Sequence, residues 1–140
     1  MEIAWDEKLS VGNATIDSDH KNLIVVVNSV QHAIASGDRV ALSKSFELLE
    51  TYMIVHFKNE ERIAEKVNFP FAQNKREHLQ LINEMNNMKN IIESINGKWP
   101  DHMMKMYSHY LSDWMIDHVM KEDMQLKPVL QTYPYDIKPD

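Results

Sequence analysis

Apolar residues along this chain recur at alternating steps of three and four, the period of a helix with one buried face. The regularity is clearest where Leu42, Phe46, Leu49, Met53, His56, Glu60, Ile63 and Val67 form one continuous stripe. A second stripe, Phe71, Asn74, His78, Leu81, Met85, Met88, Ile92 and Ile95, follows Pro70 and stops before Gly97. Two further segments complete the pattern. One runs from about Ser18 to Ser36 with His20, Ile24, Val27 and Ile34 on one face; the other runs from about Asp101 to Leu126 with Met104, Tyr107, Leu111, Trp114 and His118. Gly37, Pro70, Gly97, Pro100 and Pro128 fall between or beyond the stripes, where breakers delimit helices, and Asp38 is a good N-cap for the second. The pattern predicts an all-α fold, an antiparallel up-down-up-down four-helix bundle, because short connections make sequential helices antiparallel neighbours. An N-terminal arm containing Trp5 precedes it. Residues 1–128 read as one domain, and residues 129–140, with Pro134 and Pro139, as a loose C-terminal tail or a linker.

The exceptions to the apolar stripes carry the chemistry. His56 and Glu60 sit one turn apart on a face that should be buried, and uncompensated burial of such groups costs roughly 2–7 kcal/mol or more. A shared cation removes the cost for both. In the predicted topology the start of the first helix, the late part of the second, the start of the third and the late part of the fourth lie at one end. His20, His56, Glu60, Asn74, His78 and His118 therefore meet there. Any one seam histidine is more often a hydrogen-bonded core residue than a ligand. Several at one level are hard to satisfy among apolar neighbours, since each neutral imidazole brings both a donor and an acceptor. His32, His102 and His109 lie off the stripes and read as exposed polar residues.

Composition removes several alternatives. The 140-residue chain is long enough for a single core, and its net charge of −6, with no basic stripe, argues against a nucleic-acid partner. With no cysteine, disulfides and thiolate metal sites are excluded, as suits a reducing cytoplasm. The first residues lack a signal-peptide core and the longest apolar run, Leu23 to Val27, is far too short to span a bilayer, so a cytoplasmic protein without a membrane partner is expected. Imidazoles with carboxylates suit iron or manganese and would accept zinc. No Glu-x-x-His is present, unlike the ferritin-like diiron oxidases.

The combination of His20, His56-Phe-Lys-Asn-Glu60, Asn74-Lys-Arg-Glu-His78 and Trp114-Met-Ile-Asp-His118-Val-Met-Lys-Glu-Asp123 resembles the hemerythrins, specifically the bacteriohemerythrin branch. The run Ile16-Asp-Ser-Asp-His20-Lys and Trp5 extend the resemblance over nearly the whole chain. It implies a non-haem diiron centre: two iron ions bridged by Glu60, Asp123 and an oxo, hydroxo or other small ligand. His20 and His56 would serve one iron, His78 and His118 the other. Phe57, Trp114, Met115 and Val119 match the apolar positions around the oxygen pocket, and O2 and small anions are the implied ligands.

Two positions depart from simple expectation. Helical spacing alone selects Glu122 as the partner of His118, because Asp123, five residues on, is rotated by about 140° on an α-helix. Only the resemblance selects Asp123, which leaves Glu122 as a solvated helix-end charge. Asn74 stands where the family has a third terminal histidine. Its iron would accept the amide oxygen, take a water, or carry an additional open position.

These features imply an oxygen- or redox-sensing input domain for bacterial signalling, since domains resembling this one precede effectors such as diguanylate cyclases. A possible C-terminal effector domain would lie outside this chain. The alternative is a standalone bacteriohemerythrin for oxygen binding, storage or transport. A small enzyme is a third reading, but no general acid or base is positioned in the seams, so the isolated domain is expected to be non-enzymatic.

Overall fold

The computed structural model describes residues 2–140, apart from the side chain of His118. It is a bundle of four helical rods. The first three are α1 (Ala14–Ser36), α2 (Arg39–Lys66) and α3 (Ala72–Glu93). The fourth begins as α4 (Asp101–Asp113), continues as a π-helical stretch, Trp114–Met120, and ends in short turns that reach Leu130.

Local chemistry sets the ends. α1 starts earlier than the apolar stripe indicates because Asn13 caps it, its Oδ1 accepting from the Ile16 N–H at 3.1 Å. It closes at Gly37, whose φ of 67° lets its N–H reach the Ala33 and Ile34 carbonyls. Asp38 caps α2 as expected, accepting from the Ala41 N–H at 3.0 Å. At the other end of α3 the Trp99 indole donates to the Ile92 carbonyl at 3.2 Å, and the Arg39 guanidinium lies 4.7 Å over the Trp99 ring. Pro128 does not end the fourth rod; it lies in the first turn of Lys127–Leu130, where a missing N–H is no loss.

The predicted stripes point inward. All eight stripe residues of α2 are buried, as are Asn74, His78, Leu81, Met85, Met88 and Ile92 of α3. The apolar interior is divided into two clusters. The larger contains Leu23 to Ile34 positions of α1, Leu42 to Phe57 of α2, Leu81 to Ile92 of α3, and Leu111, Trp114, Met115, Val119 and Met120. The smaller contains Val11, Ile16, Ile63, Ala64, Val67, Phe71, Leu126 and Leu130. His20 on α1, Glu60 on α2, Asn74 and His78 on α3, and Glu122 and Asp123 on the fourth rod fall between residues of the two clusters, with His56 beside Phe57 at the edge of the larger one, so they form one polar layer across the bundle.

The C-terminal segment, residues 129–140, docks on the bundle. Leu130 is buried, and Val129, Tyr133 and Ile137 pack against the smaller cluster. The Tyr135 carbonyl accepts from the Ala14 N–H at 2.8 Å, and the Ile137 carbonyl from Asn13 Nδ2 at 3.0 Å. Buried Asp17 anchors both termini: it accepts from the Val11 N–H and from the Tyr135 hydroxyl, each at 2.9 Å, and from the Ser10 hydroxyl. Periodicity carries no trace of this anchor, because Asp17 reads as an ordinary first-turn acid. Asp17→Ala should leave three donors short of a partner and cost about 1–3 kcal/mol in chemical denaturation. It should also speed proteolysis after Leu130; unchanged cleavage would show that the docking does not depend on Asp17.

Candidate metal centre

His20 is on α1, His56 and Glu60 on α2, Asn74 and His78 on α3, and Glu122 and Asp123 on the fourth rod; all seven are buried. Their donor atoms form two groups. His20, His56 and Asp123 make one, and Glu60, His78, Glu122 and Asp123 the other, with the donor atoms of each within 4.8 Å of one another. Asp123 belongs to both. Glu60 also faces both, its Oε2 lying 3.2 Å from His56 Nε2 and its Oε1 3.7 Å from His78 Nε2. The expected position of His118 lies outside the described residues.

The two groups differ in spacing. In the first, Asp123 Oδ2 lies 2.6 Å from His20 Nε2 and 2.7 Å from His56 Nε2, within hydrogen-bond range. In the second, His78 Nε2 is 3.7 Å from both Glu60 Oε1 and Glu122 Oε2, too far for a hydrogen bond. His78 Nε2, Glu60 Oε1, Glu122 Oε2 and Asp123 Oδ1 are buried and make no hydrogen bond. Buried acceptors in this number, together with an imidazole nitrogen, form a donor set suited to cations and poorly suited to self-pairing.

The winding of the fourth rod explains how Asp123 and Glu122 both face inward. π-Helical backbone closes its hydrogen bonds at five residues instead of four, so residues five apart are rotated from one another far less than on an α-helix. The stretch Trp114–Met120 is wound this way, and it brings Asp123 into the layer where straight α-helical spacing would turn it aside. Glu122 is not the solvated charge expected of it. It is 8 % exposed and accepts through Oε1 from Asn74 Nδ2 at 2.8 Å. The Asn74 amide thus serves as a donor to Glu122 through its nitrogen.

Surrounding groups fix the imidazoles. His56 Nδ1 lies 3.1 Å from Asp19 Oδ2, which also accepts from Asn59 Nδ2 at 3.1 Å. Sequence reading missed Asp19. It sits beside His20 in the quoted run, and only the packing of α1 on α2 places it over His56. Phe57 stacks on His78 with centroids 3.8 Å apart and planes within 6°, while Phe71 meets the same ring edge-on at 5.2 Å. Phe57, Trp114, Met115 and Val119 are all buried in the larger cluster on one side of the layer. Two surface clefts approach the second group, one lined in part by Phe57, Lys75 and His78, the other by Glu77, Gln80, Glu84 and Glu122. His32, His102 and His109 are exposed, as expected.

Electrostatics in the metal-free layer follow from burial and crowding. Burial and the Asp123 charge push Glu60 well up, and the same two causes push Glu122 up to about 8. Burial also works against Asp123, but the charge and hydrogen bonds of His56 and His20 outweigh it and hold Asp123 far below the usual carboxylate range. Burial lowers His56, yet Asp123, Asp19 and Glu60 together raise it well above the ordinary 6.5. His78 is lowered, by burial foremost.

The family model described as "Hemerythrin HHE cation binding domain" matches residues 11–130. The chain is similar to a bacteriohemerythrin of Methylococcus capsulatus, 26% identical over 115 residues that cover 81% of this chain and 85% of that protein. It is equally similar to a hemerythrin-like protein of Naegleria gruberi, 26% identical over 127 residues, covering 90% of this chain and 92% of that one. A bacteriohemerythrin of Pseudomonas aeruginosa is 22% identical over 122 residues, 86% of this chain and 76% of the relative.

The pH dependence of the metal-free protein tests this layer. Glu60, Glu122 and His56 hold their protons more tightly folded than unfolded, so their stabilisation is present in acid and is lost as pH rises, for Glu122 from about 4.5 through about 8. His78 opposes them, and the Asp123 contribution is lost only as pH falls below 3.8. The melting temperature of the metal-free chain should therefore fall between these two limits of the Glu122 window. A rise over that interval would mean that the carboxylates are not crowded as described.

Proposed function

The chain belongs to the hemerythrin family, and on that footing we propose that it holds a non-haem diiron centre that reacts with O2 and serves as an oxygen- or redox-sensing input domain for bacterial signalling. The observation that carries this reading is the pair of donor groups that share Asp123, with Glu60 facing both. Bound there, the iron pair supplies one-electron changes at each metal and a coordination position for O2. Glu60 and Asp123 would be shared by the two irons, His20 and His56 would hold one, and His78 with His118 would hold the other. Asp19 accepts from His56 Nδ1, which fixes the ring so that Nε2 faces the metal, as outer-shell carboxylates do. Phe57, Trp114, Met115 and Val119, buried in the larger cluster, would exclude water from an open position there. Small anions would compete there with O2.

Sensing is favoured over carriage by two features. Reversible carriage needs strong ligands at every position but one, and Asn74 withholds an imidazole. A route out of the site also exists, because Asp17, one turn before His20, is hydrogen-bonded to Tyr135 of the C-terminal segment. Any effector domain would follow that segment. The domain itself is read as non-catalytic and cytoplasmic; among the described residues no helix is long and apolar enough to cross a membrane. The second reading, a standalone protein for oxygen binding, storage or transport, has the names of the bacterial relatives in its favour.

Two outcomes are expected. Metal analysis should find about two irons per chain in the wild type and in His32→Ala, His102→Ala and His109→Ala, and Glu60→Ala should lose the pair; iron lost from any of the three exposed-histidine variants would overturn the ligand assignment. Exposed to air, the reduced protein should oxidise without recovering its reduced spectrum on degassing, whereas Asn74→His should take up O2 more reversibly. Reversible uptake by the wild type, unchanged in Asn74→His, would favour the carrier.

A further inference from the structure

We propose that Glu122 supplies the seventh protein ligand of the centre through Oε2, in place of the imidazole that Asn74 lacks, and that Asn74 is the residue that positions its carboxylate. The inference rests on the diiron reading. Four observations carry it. Glu122 is more than nine-tenths buried, although a carboxylate at the end of a helix has an easy path to water. Only one of its oxygens is used: Oε1 accepts from Asn74 Nδ2 at 2.8 Å, while Oε2 is buried and makes no hydrogen bond. That idle oxygen faces a second idle donor, His78 Nε2, at 3.7 Å. Finally, Glu122 belongs to the same donor group as Glu60, His78 and Asp123.

The 3.7 Å separation is informative in itself. A hydrogen bond between these atoms would close to about 2.7–3.2 Å. Two donors each about 2.0–2.2 Å from a common cation stand roughly 3–4.4 Å apart, depending on the angle between them. The spacing of His78 and Glu122 falls in the second range and outside the first. Asn74 then has a definite task. An imidazole at its position would occupy the coordination site directly, whereas the shorter amide reaches across to Glu122, holds Oε1 and leaves Oε2 turned toward His78. The exchange changes chemistry as well as geometry, since a neutral ligand is replaced by an anionic one. Three carboxylates around the pair, in place of two, favour the ferric state, and this gives the irreversible oxidation of the proposed sensor an origin in a filled position instead of a vacant one.

The test loads the full chain anaerobically with ferrous iron and follows the second iron by chelator competition, together with the reduction potential and the charge-transfer spectrum of the oxidised form. Glu122→Gln retains the acceptor for Asn74 and the shape of the side chain, so it separates ligation from packing; circular dichroism of each metal-free variant verifies the fold. Glu122→Gln and Glu122→Ala should retain one iron, bind the other at least about tenfold more weakly, and shift the potential upward. Asn74→Ala should move both readouts the same way by a smaller amount. In the Glu122→Gln background, Asn74→His should recover tight binding of the second iron while the potential stays high, because an imidazole then fills the position. Two irons bound with wild-type affinity, potential and spectrum in folded Glu122→Gln would overturn the role of Glu122 and leave the diiron reading standing. A wild type that fails to bind two irons would overturn both.

Discussion

Everything in this structure is arranged around a buried layer of charged and polar groups that the protein alone cannot satisfy. His20, His56, Glu60, Asn74, His78, Glu122 and Asp123 lie between two apolar clusters, out of reach of most solvent. Removing a charge from water costs several kcal/mol even after relaxation, and a domain of this size has only about 5–15 kcal/mol of net stability. Several uncompensated carboxylates at one level would exhaust that margin. The interior is therefore incomplete as a protein core, and its donor groups are placed to receive cations, in keeping with the family's description as a cation-binding domain.

The two halves of the layer meet that constraint differently. Around Asp123, the imidazoles of His20 and His56 have closed onto one oxygen in a compact arrangement that still leaves Asp123 Oδ1 and His20 Nδ1 without a hydrogen bond. Around His78 the donors stand apart, held by packing: Phe57 and Phe71 fix the ring, and Asn74 fixes Glu122. The open half is also the half approached by surface clefts. One rigid frame thus presents a contracted donor group and an expanded one, with Asn74 and Glu122 on the expanded side.

Much of this was legible in the sequence. Period and breakers sufficed for four helices, and the stripe from Leu42 to Val67 falls on buried positions throughout, including His56 and Glu60, although it passes over Phe57 and Ala64, which are buried as well. Topology then brought residues from all four rods to one level. What escaped has physical reasons. The π-helical winding before Asp123 cannot be read from a 3.6-residue period, so the pattern chose between Glu122 and Asp123 where the structure turns both inward. Asp19 and Asp17 act across helix interfaces and at the termini, on partners such as His56 and Tyr135 that lie far away along the chain. Such contacts leave no periodic signature. Pro134 and Pro139 gave the C-terminal segment the look of a linker, although the apolar contacts of Tyr133 and Ile137 dock it.

The central claim is that the polar layer is one site shared by two metals through common carboxylates. Mössbauer spectroscopy of the oxidised, iron-loaded chain addresses it most directly, because bridged ferric ions couple their spins and unbridged ones do not. Two high-spin ferric signals of equal area that stay unsplit at low temperature are predicted. Magnetically split signals from uncoupled ferric ions, or iron in only one site, would contradict it.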